Sequence, residues 1–243
     1  MRLNILLCDT FPGLLPASIP SYEWMFSSLF DKVSGDISYR TYRAFEEELP
    51  DFISTSEAYL ITGSNQSAYD SCAWIKDLKQ WIVKAVKENV CLVGICFGHQ
   101  VIAEALGGKT ERSQNGWGAG IRESVIVDET MKQKFPNARM RLLYNHHDQV
   151  VKLPKNATLI ATSPFCINDA YRIGNQVMCF QGHPEFTESY EMHLLTDFPE
   201  DGESAEVKQN ALASMQRSEP QNALVAKVIC EFFQNRVKQG ESI

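Results

Sequence analysis

Val90-Cys-Leu-Val-Gly-Ile-Cys-Phe-Gly-His-Gln-Val-Ile-Ala-Glu-Ala-Leu-Gly-Gly108 is the stretch around which the chain is organised. Its first half is an apolar run short enough for a buried strand, and its second half places Val101, Ile102, Ala105 and Leu106 at helical spacing before a Gly-Gly stop. Cys96 therefore falls on a sharp strand-to-helix turn. Gly94-Ile-Cys96-Phe-Gly98 has the form of a nucleophile elbow with sulfur in place of a hydroxyl, small residues standing where strand and helix approach closely. The first N–H groups of a helix lack internal partners and carry partial positive charge, an environment that favours a thiolate. The turn alone leaves two readings open: an activated nucleophile or a buried, inert thiol.

A second stretch supplies what a nucleophile would need. Val177-Met-Cys-Phe-Gln-Gly-His-Pro-Glu-Phe186 is another apolar, strand-like run, and it ends in His183 and Glu185. A cysteine nucleophile requires an imidazole to take and return a proton, and the imidazole requires a carboxylate to fix its tautomer. Pro184 keeps His183 out of the helical region, so the strand stops here and presents His183 at its carboxyl end. In open α/β sheets that end is where active sites form.

The remaining chain alternates in the same way. Leu3 to Cys8 is an apolar run expected to form a first, central parallel strand; Ile37 to Tyr42 and Ala58 to Thr62 read as the next two. Helical stripes occupy Tyr22 to Phe30, with Ser21 as N-cap, and Trp74 to Glu88. Between the first strand and helix, residues 10–20 carry three prolines and a glycine, so the segment is a loop at a strand's carboxyl end, either a substrate wall or a surface connector. Asn115 to Gly120 reads as a loop leading into a strand over Glu123 to Val127, and Arg139 to Tyr144 as a strand delivering Asn145-His146-His147-Asp148. Those two histidines invite a metal reading. Neighbours on a strand point to opposite faces and no third ligand is spaced for zinc, so no metal is expected. Helices are expected over Glu188 to Leu195, Ala205 to Met215 and Gln221 to Val237, the first broken from the second by Thr196 to Gly202.

With 243 residues, 44% of them hydrophobic, the chain suffices for one substantial core, and a single domain over 1–243 is expected. A net charge of -7 without a dense Lys/Arg cluster argues against nucleic acid as a partner. No stretch approaches the roughly 18 consecutive apolar residues of a membrane span. The seven cysteines show no CxxC spacing, and Cys8, Cys91 and Cys179 lie in apolar runs, as expected of reduced thiols in a cytoplasmic protein.

Gly94-Ile-Cys-Phe-Gly-His-Gln100 together with Gly182-His-Pro-Glu185 resembles the class I (triad) glutamine amidotransferase family, which includes the glutaminase half of GMP synthetase. Ile61-Thr-Gly-Ser64, His147-Asp-Gln-Val150, Ser214-Met215 and Glu219-Pro220 are similar to a free-standing branch that includes plant γ-glutamyl peptidases. The resemblance implies an α/β fold: three layers, a mostly parallel, flavodoxin-like open sheet with helices on both faces, and a small extra β layer formed by the region after the Cys96 helix. It implies Cys96, His183 and Glu185 as the catalytic triad, with oxyanion N–H groups from Ser64 and Phe97. Ser64 stands where the synthetase branch has a glycine. Substrate contacts would come from Gly63, Gln100, Asn145 and His146, the last two largely through main-chain groups. His99 reads as a capping or packing residue. The implied chemistry is cleavage of the γ-glutamyl amide of glutamine, releasing glutamate and ammonia, with no cofactor. The alternatives are a γ-glutamyl peptidase acting on glutathione-type peptides or conjugates, and a non-catalytic regulatory member of the fold. An ammonia donor would need as its partner a separate synthetase subunit.

Overall fold

The computed structural model describes residues 1–197 and 205–240, with side chains to 236. In chain order the strands are β1 (Arg2–Leu7), β2 (Ser38–Arg43), β3 (Ala58–Ile61), β4 (Cys91–Ile95), β5 (Lys109–Arg112), β6 (Gly118–Ile126), β7 (Arg139–His146), β8 (Asp148–Lys152), β9 (Ala157–Thr162), β10 (Ala170–Ile173) and β11 (Val177–Phe180). The helices are α1 (Tyr22–Asp31), α2 (Ala73–Lys87), α3 (Phe97–Ala105), α4 (Glu129–Lys132), α5 (Glu188–Asp197), α6 (Ala205–Arg217) and α7 (Asn222–Gly240).

Nine strands form one sheet in the order β2-β1-β3-β4-β11-β10-β9-β6-β7. The first five pair in parallel. The last four extend the sheet antiparallel. Because side chains alternate across a strand, Leu3, Ile5 and Leu7 of β1 with Val93 and Ile95 of β4 pack toward α1 and α7. Leu6 and Leu92 pack toward α2 and α3 on the opposite face. Parallel strands covered on both faces read as uninterrupted apolar runs. The Ser21 hydroxyl accepts the Trp24 N–H and starts α1 as expected.

Three expectations need adjustment. β1 lies one place from the sheet edge, not at its centre. The strand expected over Glu123 to Val127 begins at Gly118, inside the stretch read as a loop. Gly120 there has φ 71°, and a Cβ on it would stand 2.6 Å from Ser214 Oγ of α6, so the glycine admits a helix and does not end a strand. The small second sheet is the pair β5-β8, whereas β6 and β7 belong to the main sheet. The antiparallel extension curls back on itself, since Leu143 of β7 bridges His183 just beyond β11, with the His183 N–H 2.8 Å from the Leu143 carbonyl. The break expected over Thr196 to Gly202 falls largely outside the described residues. No helix among the described residues is long and apolar enough to cross a membrane.

Candidate active site

Cys96 joins β4 to α3 with φ 52° and ψ -105°, a conformation a side-chain-bearing residue adopts only where its surroundings enforce it. The enforcement is visible. Its N–H bonds the Phe180 carbonyl of β11 (2.9 Å), and its carbonyl accepts the Gln100 N–H (3.0 Å). A Cβ on Gly94 would stand 2.6 Å from the Gly98 backbone, and one on Gly98 would run into the Ile61 carbonyl oxygen. Gly94 therefore lets α3 close on β4, and Gly98 lets it close on β3. Cys96 is 6% exposed, at the N-terminus of α3, and Phe97 is the first residue of that helix, so its N–H lacks an intrahelical acceptor.

β11 pairs directly with β4, Phe180 opposite Ile95, so the chain just beyond β11 runs beside Cys96. His183 Nδ1 lies 2.7 Å from Glu185 Oε1, both residues almost fully buried. Burial opposes a charge on the imidazole, but the Glu185 carboxylate and the neighbouring Cys96 sulfur outweigh it and raise the pKa to about 10. His183 Nε2 is buried and makes no hydrogen bond of good geometry among the described residues. The Phe186 ring stacks on the imidazole at 3.9 Å and 14°, which fixes the ring plane.

The Gly63–Ser64 turn follows β3, the neighbour of β4 on its other side. Gly63 N–H donates to the Tyr22 hydroxyl (3.2 Å), which donates to Glu185 Oε1 (2.8 Å). One phenol thus joins the turn to the carboxylate. A Cβ on Gly63 would stand 2.8 Å from that hydroxyl oxygen. Asp9, beyond β1, ties two loops together: Oδ1 accepts the Phe11 N–H (2.8 Å) and Oδ2 the Asn65 N–H (3.0 Å). Four adjacent parallel strands therefore deliver their carboxyl ends to one crevice.

Two lobes of that crevice meet at Ser64, Asn65, Cys96 and Asn145. One, about 270 Å³, continues past His183 to Phe11, Leu14, Phe186, Tyr190 and Leu194. The other, about 230 Å³, continues to Gln100, Arg112, His146 and Asp148. The Gln100 amide donates to the Asp148 carbonyl (2.8 Å) and to Gln181 Oε1 (3.1 Å), and Gln181 Nε2 lies 3.6 Å from Cys96 Sγ. Asn145 Oδ1 accepts the Trp117 indole N–H (2.9 Å). His146 bonds the Asp148 carbonyl through Nδ1, and burial holds its pKa down to about 3. His99 is fully buried against Tyr171, a packing residue, with its pKa likewise held down to about 3 by burial.

Of the nine residues singled out in the sequence, Ser64, Cys96, Gln100, Asn145, His146 and His183 line the crevice; Gly63 stands against Tyr22 and His183, Glu185 bonds His183, and Phe97 follows Cys96 with its ring packed on Trp74 in the core of the opposite face. Sequence reasoning missed Tyr22, Asp9, Gln181 and the apolar wall. Gln181 and Phe186 sat inside a quoted motif without a role, and the loop carrying Phe11 and Leu14 was open to a substrate-wall reading. Tyr22 gave no signal beyond an apolar helical stripe.

Residues 37–200 match the family model for glutamine amidotransferase class-I. The chain is 30% identical over 225 residues to gamma-glutamyl peptidase 4 of Arabidopsis thaliana, an alignment spanning 87% of this chain and 88% of the relative. It is 36% identical over 104 residues to one subunit of the glutamine-hydrolyzing GMP synthase of Methanospirillum hungatei, 42% of this chain and 54% of that one. A crystal structure of a glutamine amidotransferase from Thermotoga maritima superposes with a TM-score of 0.71 over 97% of both chains at 20% identity, a likeness of fold.

Proposed function

Because the chain belongs to the class I glutamine amidotransferase family, we propose that it is a single-domain hydrolase of γ-glutamyl amides, with Cys96 as nucleophile, His183 as acid and base, and Glu185 orienting His183. The observation that carries this reading is the strained Cys96 turn sharing a cavity with a His183 whose Nδ1 is held 2.7 Å from Glu185. A raised His183 pKa favours the imidazolium, the proper partner for a thiolate.

Cys96 Sγ attacks the γ-carbonyl carbon, and the negative charge that develops on oxygen is received by the N–H groups of Phe97 and Ser64. The tetrahedral intermediate collapses as His183 Nε2 passes its proton to the leaving nitrogen and the C–N bond breaks, leaving a γ-glutamyl thioester. His183, now neutral, takes a proton from water as the water attacks the thioester; glutamate leaves and Cys96 is regenerated. Gln100, Asn145 and His146 border the space for the glutamyl head, and Gly63 stands beside His183 and Cys96.

Glutamine and γ-glutamyl peptides share this scissile bond. The match to a component of a GMP synthase supports glutamine as a substrate with a separate synthetase as receiver of ammonia; the match to a γ-glutamyl peptidase over most of both chains supports larger leaving groups. Seven free thiols support a reducing, cytoplasmic setting. Glutamate release from γ-glutamyl substrates, with capture of a glutamine-like electrophile on wild type and not on Cys96→Ser, tests the reading. Equal turnover by Cys96→Ser removes the nucleophile.

A further inference from the structure

His183 lines the apolar lobe of the crevice and not the polar one. That asymmetry sets the direction of the substrate. The leaving nitrogen must receive its proton from His183, so the leaving group lies on the His183 side of Cys96. The glutamyl head, which carries an ammonium and a carboxylate, is left with the opposite lobe. There Arg112 offers a cation and Asp148 an anion held by Ser67 Oγ (2.6 Å) and the Tyr69 hydroxyl (3.1 Å).

The lobe beyond His183 has a different chemistry. Its outer wall is Phe11, Leu14, Phe186, Tyr190 and Leu194, and no Lys or Arg lines it among the described residues. Ammonia leaving from glutamine would touch none of this wall, and a peptide carboxylate, set beyond the nitrogen that His183 serves, would meet no Lys or Arg there among the described residues. The wall is also built at a conformational cost. Phe11 has φ 48°, rare for an aromatic residue, and is held so by the bond from its N–H to Asp9. Asp9 also holds Asn65, beside the Ser64 turn, so the wall is positioned against the reacting atoms by a shared carboxylate.

Resting on the hydrolase reading above, we infer that the leaving groups this site is built for are amines bearing an uncharged apolar or aromatic group, which fill the lobe bounded by Phe11, Leu14 and Leu194. The products are glutamate and the free apolar amine. A reaction class that supplies the substrate is therefore γ-glutamylation of such an amine, and the hydrolysis reverses it.

Purified full-length protein is assayed for glutamate release from glutamine, glutathione and γ-glutamyl phenethylamide. The expected kcat/KM for the phenethylamide exceeds that for the other two by about 10- to 200-fold, the range over which an apolar pocket discriminates. Leu14→Asp, at a partly buried position in the loop, places a charge in the lobe; it should reduce the phenethylamide-to-glutamine ratio by about tenfold or more, a ratio read within one folded protein so that a loss of stability cancels. Glutamine or glutathione hydrolysed as efficiently as the phenethylamide, or a ratio unmoved by Leu14→Asp, overturns this inference and leaves γ-glutamyl hydrolysis standing. No glutamate from any of the three, with no electrophile captured on Cys96, overturns the hydrolase reading and this inference with it.

Discussion

Tyr22→Phe removes a single oxygen and keeps the ring between Phe11 and Phe26, whose centroids lie 4.7 Å and 5.3 Å from it. That oxygen makes two buried bonds, donating to Glu185 Oε1 at 2.8 Å and accepting from the Gly63 N–H at 3.2 Å. Burial first, and then the Glu185 charge, hold the phenol pKa far above its ordinary value, so it remains a neutral donor throughout the working pH range. A bond to a charged acceptor contributes about 1.5–3 kcal/mol, and a buried N–H left without an acceptor costs about 1–3 kcal/mol. Since one hydroxyl serves both, a combined loss of about 2.5–6 kcal/mol is expected, or roughly 5–25 °C in melting temperature for a domain of this size. The same deletion frees Glu185 to turn and loosens the turn carrying Ser64, so kcat for γ-glutamyl hydrolysis should fall with little change in KM. Calorimetry and steady-state kinetics on the two proteins read both effects. A variant with wild-type melting temperature and kcat would refute the claim that the phenol couples the turn to the carboxylate.

Glu185→Gln preserves shape but removes the charge that holds the His183 tautomer; kcat/KM should fall by about 10³- to 10⁴-fold, and a loss under tenfold in the same glutamate assay would deny Glu185 its role. His183 has a native pKa raised to about 10 against roughly 6.5 in an unfolded chain, so the native state binds the extra proton between these values. Its stabilising contribution is complete below about pH 6.5 and is lost as pH rises through about 10; thermal melts from pH 6 to 10 should fall more steeply for wild type than for His183→Gln. Gly98→Ala drives a methyl into the Ile61 carbonyl and should cost about 1–3 kcal/mol or more, seen as a lower denaturant midpoint, whereas Gly116→Ala, also at a glycine, meets no atom and tests only its φ of 76°.

Much of this protein was legible in one dimension because its information is local. An apolar run that passes at Cys96 from strand-like to helical spacing can only be a strand meeting a helix, and Pro184 can only end a strand after His183. The alternation of such units specifies the parallel part of the sheet with its two covered faces, and Ser21 and Gly107 mark helix ends locally, one by a capping hydroxyl and the other by the positive φ that the lack of a side chain allows. Where the sequence misled, the competing effect was long-range: Gly120 reads as a loop residue because the part of α6 that passes over it, Ala211 and Ser214, lies more than ninety positions away in the chain.

Strand order carries no comparable local signal. That β11 inserts beside β4, and so brings Gln181 and His183 to Cys96, depends on pairing between segments far apart in the chain, which only the packed sheet fixes. Tyr22 shows the limit most plainly. Its ring is an ordinary member of an apolar stripe, while its hydroxyl reaches a glycine 41 positions away and a carboxylate 163 positions away. The sequence determined which chemical groups were available, because that chemistry belongs to single side chains; the tertiary structure decided which of them face one another and which lobe each half of a substrate meets, because a cavity is a property of surfaces brought together from many places in the chain.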